Sequence, residues 1–150
     1  MIWKPNVVVA AVIEREGKFL LVEEEADGRY VFNQPAGHLD EGESLLHAVV
    51  REVQEETGWR FVPEQLIGVY RWQRAPGETT YLRFCFTGSV SDHQPAQALD
   101  HGIVRAVWLS PTEIEALGEK LRSPLVQTCI RDYQTGVRFP LSILQDLSAP

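Results

Sequence analysis

Residues 37–59 read GHLDEGESLLHAVVREVQEETGW, a stretch with a turn-rich first half and a second half of helical periodicity. Its apolar residues recur at the i, i+3, i+4, i+7 spacing of one buried helix face, as Leu46, Val49, Val50 and Val53. Gly58 follows as a residue typical of helix C-termini. The stretch therefore predicts an amphipathic helix that begins near Leu46 and ends at Gly58.

Three glutamates crowd the last turns of this predicted helix: Glu52, Glu55 and Glu56. Their spacings of three and four place them side by side, and the carbonyl end of the helix disfavours each anion by roughly 0.3–1 kcal/mol. Arg51 is the nearest cation, and the helix contains no lysine. A solvated helix face is the plain alternative, but a hard divalent cation would supply the missing compensation. Oxygen-only ligands favour Mg²⁺ or Mn²⁺ over zinc.

The residues before this stretch have the composition of strands and turns. Val7–Ile13 and Lys18–Glu23 are rich in β-branched and other apolar residues, and Gly17 between them predicts a hairpin turn. We predict a polar loop at Glu24–Arg29 and a short extended piece at Tyr30–Asn33.

The residues after this stretch predict three strands, at Leu66–Trp72, Tyr81–Ser89 and Ile103–Leu109. Ser110 begins a capping box with proline at the first helical position, which predicts a short helix through Leu117. Ser123 begins a second C-terminal helix in the same way, with Gly136 beyond its end. Paired strands around one central helix, with helices again at the end, predict an α+β protein with a mixed sheet packed between helices.

Length and composition limit the class of protein. The chain has 150 residues, of which 44% are apolar and 23% charged, so we expect one globular domain over residues 1–150. The longest apolar run, Val7–Ile13, is too short to cross a membrane, and Met1–Pro5 lacks the features of a signal peptide. Cytoplasmic residence is the resulting expectation. Cys85 and Cys129 suggest neither a zinc site nor a disulfide framework.

The charge balance argues against a nucleic-acid partner. Fourteen basic and 21 acidic residues give a net charge of −7, and residues 40–58 hold six acids but only one base. This is the wrong sign for neutralising a nucleic-acid backbone. An acidic site of this kind can bind a small anionic substrate when cations lie between the two.

The spacing of the glycines, acids and arginine within residues 37–59 is identified as that of the Nudix hydrolases. Their pattern G-x5-E-x7-R-E-U-x-E-E-x-G-U is matched from Gly37 through Glu43 and Arg51 to Gly58. Trp59 stands where the family usually has a bulky aliphatic residue, a departure expected to affect packing more than catalysis. The resemblance implies an α/β/α sandwich and metal-dependent cleavage of a phosphoanhydride in a nucleoside diphosphate linked to another group.

The resemblance also implies roles for individual residues. Glu52 and Glu56 are the expected principal metal ligands, Glu55 a further ligand or the base that activates water, and Gly37 a backbone carbonyl ligand. Arg51 is expected to orient the glutamates.

Two assignments have alternatives. Asp100 competes with Glu55 as the general base, because some family members take the base from a loop, although a simple turn aspartate is the plainer interpretation. Glu43 pairs with Arg51 only if it lies in a curved loop before the helix, since eight residues of straight helix span about 12 Å. Otherwise Glu43 is a favourable charge at the helix N-terminus.

Four segments, at 32–39, 82–84, 121–126 and 133–141, resemble one phosphatase branch of the family. This likeness implies hydrolysis of nucleoside tri- and diphosphates, and of the pyrophosphate of the thiamine pyrimidine precursor, with release of orthophosphate. Arg83 and Arg122 lie in these segments and are the candidate phosphate donors. Phe32 and Trp72 are candidates for stacking on a planar ring, although core packing is the plainer role for either.

Three functions are compared. The first is the metal-dependent hydrolase just described, acting on a small nucleotide or pyrophosphate as a monomer or small homo-oligomer. Other nucleoside diphosphate derivatives, such as nucleotide sugars or dinucleoside polyphosphates, are alternative substrates. The second is a regulatory module that binds a nucleotide without cleaving it, and the third is an acidic structural domain. Intact Glu52, Glu55 and Glu56 favour the first, because a pure binder has no need for three repelling carboxylates.

Overall fold

A computed structural model describes residues 1–148 of the chain. Its β-strands are β1 Asn6–Val12, β2 Glu14–Arg15, β3 Lys18–Ala26, β4 Arg29–Asn33, β5 Ala36–His38, β6 Arg60–Gln73, β7 Thr80–Ser91, β8 Ile103–Leu109 and β9 Phe139–Pro140. Its α-helices are α1 Leu45–Thr57, α2 Pro111–Leu117 and α3 Pro124–Gln134. No helix in the described part of the chain is both long and apolar enough to span a membrane.

The strands form two sheets. The larger is a mixed five-stranded sheet in the order β5-β1-β7-β6-β9, in which β1 and β7 run parallel. The smaller is antiparallel, with β3 paired to β2, β4 and β8. The predicted mixed sheet is confirmed, and the smaller sheet is an addition to the prediction.

Helices cover both faces of the five-stranded sheet. Successive residues of a strand point to opposite faces, so β1 contributes Val9 and Ala11 to one apolar cluster and Ala10 and Val12 to the other. The first cluster includes buried residues of α1, and the second includes buried residues of α2 and α3. The helix–sheet–helix layering implied by the family resemblance is therefore present.

Local capping explains where the helices begin and end. The Ser44 side chain accepts a hydrogen bond from the His47 backbone at the start of α1, and Gly58 ends it with a left-handed φ of 74°. Ser110 forms the predicted capping box of α2, and the Ser123 side chain caps α3. All three predicted helices are confirmed, with α1 beginning one residue before Leu46.

One prediction about the N-terminal strands is right in part, and another is wrong. The predicted turn at Gly17 is present, because β2 pairs with β3 across it, but Val7–Val12 takes no part in this hairpin, since β1 pairs with β5 and β7. The polar segment Glu24–Arg29 is not a loop, since β3 continues to Ala26 and pairs with β4 across a tight turn. β6 starts at Arg60, six residues before the start of the predicted strand Leu66–Trp72.

Candidate active site

An open cleft of about 850 Å³ lies along one side of α1. The cleft is lined by all the predicted site residues except Phe32, namely Gly37, Arg51, Glu52, Glu55, Glu56, Trp72, Arg83, Asp100 and Arg122. Residues far apart in the sequence therefore share one surface, because α1, β5, β7 and the loop before β8 meet at the cleft.

Three glutamates of α1, Glu52, Glu55 and Glu56, form one wall of the cleft, the acidic wall, and Arg51 is the cation beside them. Its guanidinium donates to both carboxylate oxygens of Glu43, at 2.6 and 3.0 Å, and to Glu52 Oε1 at 2.9 Å. It also donates to the His38 carbonyl at 3.0 Å and, over 3.3 Å, to Glu55 Oε2. The hydrogen bond from Arg51 lowers the pKa of Glu43. Arg51 thus contacts two glutamates of α1 directly, and its role in orienting them for catalysis stays a prediction.

Glu43 lies in the loop before Ser44, the N-cap of α1, which brings it back alongside Arg51. Of the two interpretations of Glu43, the structure shows the pairing with Arg51. The same carboxylate accepts a hydrogen bond from the Asp40 backbone at 2.8 Å, so this loop is held at both its start and its end.

Glu52 and Glu56 are buried carboxylates. Their residues are only 7% and 6% exposed, and desolvation raises the pKa of Glu52 to about 7 and that of Glu56 to about 9. Glu56 Oε1 accepts the Ala36 N–H at 2.9 Å, which fixes one of its oxygens. Glu55 is the most accessible of the three, with 41% of its side chain exposed, so water in the cleft can reach its carboxylate.

β5 approaches the glutamates closely. A Cβ atom at Gly37 would overlap the carboxylate group of Glu52, and no other residue type fits there without displacing that carboxylate. The neighbouring Ala36 N–H holds Glu56. One short strand therefore sets the positions of both expected principal metal ligands.

The loop that carries Asp100 is attached to the C-terminal end of α1. The Asp100 N–H donates to the Glu55 carbonyl at 2.9 Å, and Gln97 Nε2 donates to the Gln54 carbonyl at 2.7 Å. The Glu55 carbonyl gains a partner at the helix end in this way, while the Gln54 carbonyl also accepts the Gly58 N–H at 3.0 Å. Asp100 and Glu55 thereby lie on the same wall of the cleft, and the competition between them for the role of general base stays a prediction.

The predicted substrate contacts differ in placement. Arg83 is buried in the cleft, Arg122 lies at its surface and pairs with Glu24 at 2.7 Å, and the Trp72 ring stacks on Tyr81 with centroids 6.1 Å apart. The structure contradicts the choice of Phe32, which is 6% exposed and packs in the core cluster beside α3. Alternation along β4 puts its neighbour Asn33 at the cleft instead.

Asn33 and Gln34 are functional candidates that the sequence analysis missed. Their side-chain oxygens accept hydrogen bonds from Arg83, at 3.1 and 2.8 Å. The signal was an amide pair directly after the apolar residues Val31 and Phe32, a place where uncharged polar side chains become buried.

The donor set suits a hard divalent cation. Gly37 and the three glutamates offer only oxygen atoms, and among residues 1–148 Arg51 is the one cation that pairs with these glutamates. Within residues 1–148, no three His, Cys, Asp or Glu side chains already converge as metal ligands, because Glu52 and Glu55 turn to Arg51 and Glu56 to Ala36. Rotation of these side chains toward the cleft is what ion binding requires.

Trp59 lies outside this cleft. Its ring stacks on His93, with centroids 4.4 Å apart, and the Arg15 guanidinium lies 4.6 Å from its centre on the side of the smaller sheet. The departure from the family pattern is thus accommodated by packing between the C-terminus of α1 and neighbouring loops.

Residues 3–129 match the family model described as NUDIX domain. The chain is 44% identical over 148 residues to phosphatase NudJ of Escherichia coli K12, covering 99% of this chain and 95% of that protein, and the Shigella flexneri protein of the same name matches equally. A Nudix hydrolase structure from Nitrosomonas europaea is 56% identical with a TM-score of 0.93, covering 95% of this chain and 97% of that one. The structure of a UDP-X diphosphatase shares the fold, with a TM-score of 0.73 at 22% identity over 90% of this chain and 66% of that one. The family match and the glutamates gathered along the cleft lead to one conclusion: the chain belongs to the Nudix hydrolase family.

Proposed function

We propose that this chain hydrolyses phosphoanhydride bonds in nucleoside tri- and diphosphates and in related small pyrophosphates, such as that of the thiamine pyrimidine precursor. The reaction depends on Mg²⁺ or Mn²⁺ and releases orthophosphate. The observation that carries the proposal is the pair of buried glutamates Glu52 and Glu56, the first bonded to Arg51, on the wall of a cleft that also holds the buried Arg83. The likeness to phosphatase NudJ over nearly the whole chain supports the choice of substrates.

In this proposal, Glu52, Glu56 and the Gly37 carbonyl hold the divalent ion. When bound there, the ion would supply neutralisation of phosphate charge and a water of lowered pKa. Arg51 pairs with Glu52 and Glu55 at the cleft before an ion binds, and Glu55 or Asp100 would accept the proton of the attacking water. The chain itself supplies placement and a base.

The stacked rings of Trp72 and Tyr81 offer a flat apolar surface for a nucleobase or pyrimidine. We expect the partner to be a small molecule, and the chain to work in the cytoplasm as a monomer or small homo-oligomer. A module that binds nucleotides without cleavage fits less well, because such a module gains nothing from burying two carboxylates with raised pKa values.

The order of products tests this proposal directly. A nucleoside triphosphate incubated with the protein and Mg²⁺ should yield the diphosphate and orthophosphate first, and the monophosphate later. The reason is that a substrate anchored by its ring and inner phosphate leaves its terminal phosphorus between ion and water. A single time course followed by ³¹P NMR distinguishes the outcomes. Pyrophosphate as the first product would refute the choice of orthophosphate release while leaving membership of the family untouched.

Metal binding should also stabilise the folded chain. At a Mg²⁺ concentration about ten times the Kd, mass action adds about 1.4 kcal/mol to the free energy of unfolding. For a domain of this size that raises Tm by about 3–5 °C. Differential scanning fluorimetry with and without Mg²⁺ measures the shift.

The pKa values of Glu52 and Glu56 give this stabilisation a pH dependence. Both are raised above the ordinary value of 4.5, so their contribution to stability is fully present below about pH 4.5 and is lost as pH rises through about 7 and about 9. The metal-free chain should lose stability over that window, and the gain from Mg²⁺ should be larger at about pH 8.5 than at about pH 6. A Tm indifferent to Mg²⁺ at both pH values would favour a purely structural role for the acids.

A further inference from the structure

Arg83 is a cation buried at the cleft. It lies on β7 and is only 4% exposed, yet it contributes to the cleft lining. Cys85, two residues further along the strand, packs against α3, so Arg83 points to that same face of the five-stranded sheet. Glu52 reaches the cleft from α1, on the other face. The buried arginine and the acidic wall therefore approach the cleft from opposite sides.

Arg83 differs from the other arginines of the cleft in having no acidic partner. Arg51 pairs with Glu43 at 2.6 Å, Arg74 with Glu78 at 2.8 Å and Arg122 with Glu24 at 2.7 Å. In the part of the chain that the structure describes, no carboxylate lies within 4.0 Å of the Arg83 guanidinium. Its positive charge is thus both desolvated and uncompensated.

The neighbours of Arg83 are neutral and leave some of its donors unused. The guanidinium donates to Gln34 Oε1 at 2.8 Å and Asn33 Oδ1 at 3.1 Å, and it contacts Cys129 Sγ at 4.0 Å. These contacts occupy three of the five N–H groups of an arginine. The buried Nε has no partner among the described residues. Gln34 is itself fixed, because its Nε2 donates to the Val126 carbonyl at 2.9 Å.

A buried cation on rigid neutral supports is the arrangement expected of an anion-binding group. Burying an unpaired charge is costly, and native proteins retain it where a ligand supplies the opposite charge. The planar guanidinium binds two phosphate oxygens at once through adjacent N–H groups. A neutral ring carbonyl of a substrate would accept one hydrogen bond from Arg83 but would leave the positive charge of its guanidinium uncompensated.

We propose that Arg83, held by Asn33 and Gln34, binds a phosphate group of the substrate other than the one attacked. This inference rests on the proposed function and deepens it. Tyr81 precedes Arg83 by two residues on the same face of β7, and its register partner Trp72 completes the aromatic surface. The order along the strand is thus aromatic ring and then inner phosphate, with the acidic wall left for the terminal phosphate. A substrate with a single phosphate cannot bind both Arg83 and the acidic wall.

Metal-free binding of inorganic pyrophosphate tests this role apart from catalysis. In EDTA, isothermal titration should give a Kd for the unaltered chain that rises at least tenfold in Arg83→Gln, because a charged hydrogen-bond donor is lost. Arg74→Gln is the matched control, since Arg74 lines the same cleft but is already paired with Glu78. We expect its Kd to stay within about twofold of the original. Equal weakening in both variants, or in neither, would overturn the proposal.

A second measurement covers the case in which Arg83→Gln does not fold. ¹⁵N-labelling of arginine in the unaltered, metal-free chain allows the Nε–H signal of Arg83 to be followed by NMR, with Arg83→Lys providing the assignment. Pyrophosphate should shift this signal, and the neutral nucleoside uridine should not. A shift with uridine alone, or with neither, would overturn the proposal. A shift with pyrophosphate in a chain that hydrolyses no substrate would retain the anion site and reject the proposed function.

Discussion

Glu56→Gln should lower turnover at least about 100-fold at saturating Mg²⁺ while leaving the fold intact. The amide keeps an oxygen that accepts the Ala36 N–H, so the hydrogen bond at 2.9 Å survives. Its NH₂ group replaces the second carboxylate oxygen and cannot ligate a cation. Loss of one ligand to the ion removes charge stabilisation that the transition state needs, and removal of one oxyanion-hole donor, a comparable loss of charge stabilisation, costs about 2.7–4 kcal/mol in other enzymes.

The same substitution should cost the metal-free chain little. Burial raises the pKa of Glu56 to about 9, so near neutral pH the side chain is already uncharged and resembles the amide in shape and polarity. Tm without metal should therefore stay close to that of the original chain, and its rise with Mg²⁺ should disappear.

Glu41→Gln is the matched control for this experiment. Glu41 belongs to the same acidic stretch but is exposed and does not line the cleft. It removes one charge of the same sign without touching the site, so turnover should be unchanged. Equal turnover in Glu56→Gln and the original chain would falsify the assignment of Glu56 as a metal ligand.

The sequence predicted the elements whose causes are local. α1 follows from apolar spacing and from Gly58, and the capping residues Ser110 and Ser123 mark the starts of α2 and α3. The pairing of β1 was beyond local reasoning, because its partners β5 and β7 lie about 30 and 75 residues away in the chain. The polar run from Glu24 suggested a loop at Glu24–Arg29, but Glu24 and Glu25 belong to β3, which pairs with β4 on one side and β8 on the other.

The site divides in the same way. Arg51, Glu52, Glu55 and Glu56 share one helix, so their spacing alone brings them to one surface. The burial of Arg83 depends on contacts with Asn33 and Cys129, which are about 50 residues away in either direction, and no local pattern contains that information. Phe32 was chosen as an aromatic near a strand end, but the direction of a strand side chain depends on which sheet packs against it.

The site should be sensitive to a single methyl group added at Gly37, because the Glu52 carboxylate already fills the space beside this residue. The φ angle of Gly37 is not in the left-handed region, so a glycine is needed there for the space beside Glu52 and not for an unusual φ. An added Cβ would overlap the Glu52 carboxylate, which is itself buried and held by Arg51 at 2.9 Å. The carboxylate is the end of a flexible side chain and moves first, which costs its hydrogen bond from Arg51, worth about 1.5–3 kcal/mol for a charged group.

Gly37→Ala should therefore lower turnover by about 100-fold, since displacement of a catalytic group by about 1 Å has an effect of that size. Tm should fall as well, which thermal unfolding measures. Glu52→Asp is the diagnostic partner, because its shorter side chain withdraws the carboxylate from the added methyl group. If the overlap causes the damage, the double variant should be more stable than the sum of the two single effects predicts, by about 0.5–3 kcal/mol. Strict additivity would mean that the methyl group acts elsewhere, on β5 itself, and that the close approach of Gly37 to Glu52 does not position the metal ligand.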